Sequence, residues 1–116
     1  MSKGTLGEIL AERVLTLGDE NGGTAQVFVR LGKPQSSPIG DEFHCTGQIV
    51  GIGDERIHEI FGIDAFQALQ LTLRYISIKL RDFRKRHKVA LYAWEREDEM
   101  GFPEDPRDKE SERPAN

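Results

Sequence analysis

The chain has 116 residues, of which 37% are hydrophobic and 31% charged, and its formal net charge is −4. This length and balance are typical of a single soluble globular domain, and the acidic charge argues against a dedicated nucleic-acid binder. The single cysteine, Cys45, excludes an intrachain disulfide, and neither a signal peptide nor a membrane span is recognisable, so a cytoplasmic location is expected.

Four short segments bounded by turn residues predict β-strands, with a clean apolar–polar alternation in the second and a poor one in the fourth. The strands are expected at 8–17, 25–31, 43–51 and 56–61. Arg13 is the one charged residue on the apolar face of the first strand. Cys45 shares a face with Phe43 and Ile49 in the third strand, which predicts a small buried apolar residue.

Residues 62–80, "GIDAFQALQLTLRYISIKL", predict a helix. Asp64 is suited to cap its first turn, and Gln67 stands three residues later, as in a capping box. An apolar stripe at steps of three and four is expected to face a sheet. It comprises Phe66, Leu69, Leu73, Ile76, Leu80 and Phe83, and we expect Leu69, Leu73 and Ile76 to be fully buried.

A second apolar row, Ala68, Leu71, Tyr75 and Ile78, lies about 100° around the helix from the stripe. We expect residues 89–94, "VALYAW", to fold back and cover Leu71, Tyr75 and Ile78. The alternative is that these three residues form a self-association row in a homodimer. The sequence does not decide whether 89–94 is a strand or packs irregularly on the helix.

Strands followed by a helix indicate the α+β class. The predicted fold is an antiparallel meander of about four strands, with one long C-terminal helix packed across one face. Residues 1–103 are expected to form a single domain. The acidic, proline-containing residues 104–116 are expected to be a disordered tail.

The helix sequence, followed by Trp94 and by "GFP" at 101–103, resembles a family of small bacterial proteins known only as a domain of unknown function. The matching helix residues are Gly62, Asp64, Ala65, Gln67, Ala68, Leu69, Leu71 and Leu73. The resemblance covers roughly residues 10–103 and implies the fold, but it implies no activity, catalytic residue or cofactor. Small proteins of this build include immunity partners of bacterial toxins, an analogy of size and class.

No catalytic constellation, metal site or nucleotide fingerprint is evident in the sequence. His44, Gln48 and His58 are predicted as a polar cluster on the open face of the sheet. His44 and His58 with Glu42 or Glu59 could in principle hold a metal ion, but ordinary surface polarity is the favoured interpretation. Cys45 has no visible base on its face.

Two charged surfaces are candidates for binding. The stretch 79–88 carries six Lys or Arg residues, and it predicts either a solvated helix end or a basic patch of Arg81, Arg84, Lys85 and Lys88. The acidic stretch after the helix predicts either a solvated segment or a partner surface of Trp94, Glu95, Asp98 and Phe102.

The favoured function is a non-enzymatic protein-interaction module, which could be an immunity-type neutraliser of a partner protein. A small-ligand-binding or enzymatic domain that uses the open sheet face is the first alternative. Nucleic-acid contact through 79–88 is the second, although the stretch lacks aromatic residues for base stacking.

Overall fold

The computed structural model describes residues 6–38, 40–94 and 99–102. Within them the elements are β1 (Ile9–Gly18), β2 (Thr24–Gly32), β3 (Gln35–Ser36), β4 (Phe43–Val50), β5 (His58–Gly62), α1 (Ala65–His87) and β6 (Ala90–Tyr92). The α+β class is confirmed. The expected number of about four strands is too low, because two strands were missed: β3, which has only two residues, and β6, which follows the helix. α1 is therefore not the C-terminal element. The predicted tail, 104–116, lies outside the described residues.

All strand pairs of the sheet are antiparallel. Residues Phe43 and His44 of β4 pair with both β3 and β5, so these two strands must lie on opposite edges of β4. The sheet therefore runs β5-β4-β2-β1-β6, with β3 beside the first residues of β4. The four longer strands lie side by side in chain order, as the predicted meander requires.

The N-terminus of α1 has the predicted cap. Asp64 Oδ1 accepts a hydrogen bond of 2.8 Å from the backbone N–H of Gln67, which confirms its capping role. The Gln67 side chain reaches back one residue further than in a standard capping box, since its Oε1 accepts from Ile63 N–H at 2.8 Å. Both bonds fix the path by which the chain leaves β5 and enters the helix.

The buried side of α1 follows steps of four residues: Ala68, Thr72, Ile76 and Leu80. A row of this spacing drifts around the helix, so α1 crosses the sheet obliquely. Ile76 is buried as predicted, whereas Leu69 and Leu73 are only partly buried. Phe66, which was expected in the core, is 77% exposed, because the predicted stripe and the observed row diverge at the start of the helix.

Two glycines allow α1 to approach the sheet closely. A Cβ on Gly47 of β4 would lie 3.1 Å from Thr72 Cγ2, and a Cβ on Gly62 would lie 2.5 Å from the backbone nitrogen of Ala68. Small residues on the helix, Ala68 and Thr72, meet these glycines. The first half of α1 therefore rests almost directly on β4 and β5.

The rest of the same sheet face is covered by the C-terminal segment. Residues 90–92 form a strand, which settles the alternative left open by the sequence, and β6 pairs with Thr16–Gly18 of β1. Leu91 is fully buried there, and Met100 is buried further along. The expectation that 89–94 covers the second helix row is therefore wrong, because β6 lies at the opposite edge of the sheet from β5, where α1 begins.

Candidate interaction surface

The most exposed large apolar side chains of the described residues flank the junction of β5 and α1. Ile63 and Phe66 are 74% and 77% exposed, and Phe61 is also exposed. We call these three residues the corner patch. Protein surfaces normally expose large apolar residues singly, whereas here three lie within six positions of the chain.

The local fold explains why these side chains remain outside. Phe61 lies directly opposite His44 in the β4–β5 pair, on the face away from α1, and the two rings lie 5.7 Å apart. Ile63 occupies the tight connection before the Asp64 cap. Phe66 stands about 160° around the helix from Ala68, at about 100° per residue, so it points away from the buried row at this end.

Three carboxylate residues lie near the corner patch in the chain or in the strand register. Glu59 belongs to β5, Asp64 caps the helix, and Glu42 precedes the residue that pairs with Gly62. The sequence has no Lys or Arg between Arg56 and Arg74. Phe61 also shares pockets with Lys33 and Arg56, whereas the charged residues nearest in sequence to Ile63 and Phe66 are Glu59 and Asp64. The Ile63–Phe66 side of the patch therefore favours a basic partner surface.

The predicted open-face cluster of His44, Gln48 and His58 is divided between the two faces of the sheet. In the β4–β5 pair, His44 lies opposite Phe61. His58 is three positions from Phe61, and an odd offset places a side chain on the other face. His58 consequently lies beside α1, so the two histidines cannot share a metal ion.

His58 belongs to a polar network that attaches the β4–β5 loop to α1. The Tyr75 hydroxyl lies 3.3 Å from His58 Nδ1, and Asp54 Oδ2 lies 3.7 Å from His58 Nε2 and 3.8 Å from Lys79 Nζ. Arg56 donates from its guanidinium and its backbone N–H to Asp54. These hydrogen bonds, the side-chain ones foremost, hold the pKa of Asp54 well below its ordinary value.

The remaining members of the predicted polar sites have structural partners. Gln48 Nε2 donates to the carbonyl of Glu55 at 2.8 Å and thereby closes the β4–β5 loop. Cys45 is fully buried, as predicted, and burial raises the pKa of its thiol. In the part of the chain that the structure describes, no three His, Cys, Asp or Glu side chains converge as metal ligands would.

Trp94 and Phe102, which stay a predicted partner surface, stack on Arg13, and Trp94 is 61% exposed. The Arg13 guanidinium carbon lies 4.6 Å from the Trp94 ring centroid and 4.8 Å from that of Phe102. Arg13 Nη1 donates to the carbonyl of Met100 at 3.3 Å and to the carbonyl of Gly101. Glu95 and Asp98, the acidic members of the predicted surface, lie outside the described residues.

Gly101 completes this arrangement, which we call the arginine clasp (Arg13, Trp94, Gly101 and Phe102). Its φ is +79°, and a Cβ there would collide with both Trp94 Cη2 and Arg13 Nη1. Only glycine fits without displacing the stacked rings. The sequence signal for the clasp was Arg13 itself, a charged residue on the core side of a strand, but its partners could not be located from the sequence.

The predicted basic patch is not a single surface. Arg81 is 5% exposed and belongs to the buried side of α1, and Arg84 is partly buried, whereas Lys85 and Lys88 are exposed. The predicted self-association row is also altered, because Tyr75 packs on His58 with the ring centroids 5.0 Å apart. Leu71 and Ile78 remain 39% and 43% exposed.

Comparison with known proteins gives a family. Residues 11–104 match the model of a domain of unknown function, DUF6968. The chain belongs to the DUF6968 family. The matched region includes the clasp and nearly all of the sheet of this DUF6968 protein. No curated protein and no solved structure gives a significant match.

From Arg74 onward, charged residues recur along α1. No helix among the described residues is long and apolar enough to cross a membrane.

Proposed function

We propose that this DUF6968 protein is a non-enzymatic, cytoplasmic interaction module that binds a basic partner protein through the corner patch. The observation that carries the proposal is the exposure of Ile63 and Phe66, at 74% and 77%, beside carboxylates. The partner surface would offer an apolar pocket for Phe66 and cationic side chains around it. An immunity-type neutraliser of a basic protein is one role that fits this chemistry.

An apolar anchor and the charged residues around it contribute differently to binding. Burial of a phenylalanine side chain contributes about 1.5–3 kcal/mol, which is the size of a binding hot spot. The carboxylates of Glu59 and Asp64 chiefly increase the association rate with a basic partner, an effect that salt screens. Phe66 should therefore determine the dissociation rate, and salt should slow association.

The test uses the full chain, tagged and expressed in its source cells, as wild type and as Phe66→Asp. Leu10→Asp is the matched control, since Leu10 is an exposed apolar side chain of β1 away from the patch. We expect a stoichiometric basic partner with wild type and the control, and its loss with Phe66→Asp. The purified pair should then show at least about tenfold weaker binding for Phe66→Asp by calorimetry.

Two outcomes would contradict the proposal. One is a complex that Phe66→Asp leaves intact while circular dichroism shows the variant to be folded. The other is a partner with an acidic surface, whose affinity does not fall as salt is raised from low to physiological concentration.

A further inference from the structure

A cavity of about 220 Å³ lies in the seam between α1 and the arginine clasp. The apolar residues that line it come from three sources: Ala11, Val29 and Leu31 of the sheet, Leu73 and Ile76 of α1, and Phe102 of the clasp. Glu12, Arg13 and Gly101 complete the lining. Val29, Leu31 and Ile76 are buried and form the floor, whereas Ala11, Leu73 and Phe102 are more accessible and form the mouth. The cavity thus has a buried end and an open end.

The cavity is large for a domain of this size. Side chains that line a void lose dispersion contacts, and a larger residue at Ala11 would recover part of them. An engineered apolar cavity of about 150 Å³ is known to stay dry and to bind benzene. At roughly 30 Å³ for a small group, the present cavity has room for about seven non-hydrogen atoms.

Arg13 places a positive charge beside the mouth. Its two hydrogen-bond acceptors are carbonyls and its stacking partners are neutral rings, so none of these neutralises the guanidinium. The adjacent Glu12 points to the other face of the sheet and pairs with Arg30 at 2.6 Å. Among the described residues no carboxylate pairs with Arg13, and Nη1 alone accounts for its two hydrogen bonds, which leaves the Nε and Nη2 donors for a ligand.

We propose that the cavity binds a small monocarboxylate with a compact apolar tail of about five to seven carbons. The tail would occupy the space between Val29, Leu73 and Ile76, and the carboxylate would pair with the guanidinium of Arg13. The stacked rings hold the guanidinium in place, so that a planar, charge-assisted pair forms with little loss of side-chain freedom. This site is separate from the corner patch and does not depend on the function proposed for it.

The test is a titration of the full chain with hexanoate, 1-hexanol and hexylammonium, followed by calorimetry and by the methyl NMR signals of Val29, Leu73 and Ile76. We expect saturable binding of hexanoate, at least about tenfold weaker binding of hexanol, and none of hexylammonium. Affinity should rise from butanoate to hexanoate or heptanoate and fall at decanoate, because the longer tail exceeds the cavity.

Two variants make the result specific. Ala11→Leu fills the cavity and leaves Arg13 in place, so it should weaken hexanoate binding at least about tenfold while Trp94 fluorescence stays as in the wild type. Phe66→Asp should bind hexanoate as the wild type does, which separates this proposal from the interaction surface. Equal affinity for hexanoate and hexanol, or hexanoate binding that Ala11→Leu does not change, would overturn the proposal.

Discussion

Gly101 shows how one backbone position can control the arginine clasp. Gly101→Ala should open the clasp, because the new methyl group would collide with Trp94 and Arg13. We expect a loss of about 1–3 kcal/mol from overpacking, added to the cost of a positive φ. Urea unfolding and Trp94 fluorescence measure the two effects.

The matched control for this change is Gly22→Ala in the β1–β2 turn. Gly22 has a φ of +82°, but a methyl group at its Cα would have nothing within 4 Å. It therefore carries the backbone strain without the collision. If both variants lose the same stability and Trp94 emission is unchanged, Gly101 serves only the turn and not the clasp.

Asp54 predicts a specific dependence of stability on pH. Its folded-state pKa lies below the unfolded value, so its contribution to stability is present above about pH 4 and is lost as the pH falls through the folded-state pKa. Asp54→Asn should lose less stability than the wild type between about pH 5 and about pH 2. Urea unfolding across this range is the measurement, and Glu20→Gln controls for the change of net charge.

At the scale of single elements, the helix cap gives the simplest test. Asp64→Ala should lower the free energy of unfolding by about 1 kcal/mol, because the N–H of Gln67 loses its acceptor. Asp82→Ala is the comparison, since Asp82 pairs with Arg86 on the exposed side of the same helix and such a pair contributes only about 0.2–0.5 kcal/mol. Equal losses would show that the cap bond is not the stabilising feature.

The outward side of α1 gives a second test. Leu71→Glu should leave the chain folded, because Leu71 is 39% exposed and the new carboxylate can reach water, whereas Ile76→Glu should unfold it. Circular dichroism distinguishes the two. Light scattering on the same samples measures the oligomeric state, and a fall in mass from dimer to monomer in Leu71→Glu would show that Leu71 and Ile78 join two copies.

On the scale of the whole molecule, the local sequence pattern predicted most strands and the helix. It did not predict where segments distant in the chain pack against each other. Period-two alternation located β1, β2 and β4, whereas β5 was predicted from the turn residues before it, because its own alternation is poor. The face of His58 was then misjudged, since one odd step reverses a side chain. The prediction that Phe66 is buried was wrong. The predicted stripe, at mixed steps of three and four, and the observed row, at steps of four, share some residues but diverge at the start of the helix.

The destination of the segment after α1 could not be predicted, because it depends on packing rather than on periodicity. Residues 89–94 are apolar enough for either the helix or a sheet edge. In the structure they lie at the sheet edge, where Leu91 pairs with Leu17 and is buried in the core. The clasp follows from that choice, and it had no sequence pattern beyond an unexplained Arg13 and two aromatic residues.

The clasp also sets an order of events when the chain is made. Arg13 bonds to carbonyls 87 and 88 positions later in the chain. Ribosomes add about 5–20 residues per second, so several seconds pass between the completion of β2 and the arrival of Phe102. α1, which contributes Leu73 and Ile76 to the cavity lined by Val29 and Leu31, is synthesised during that interval, before Phe102. The clasp can therefore close only after nearly the whole domain has been synthesised, later than the β1–β2 hairpin and α1.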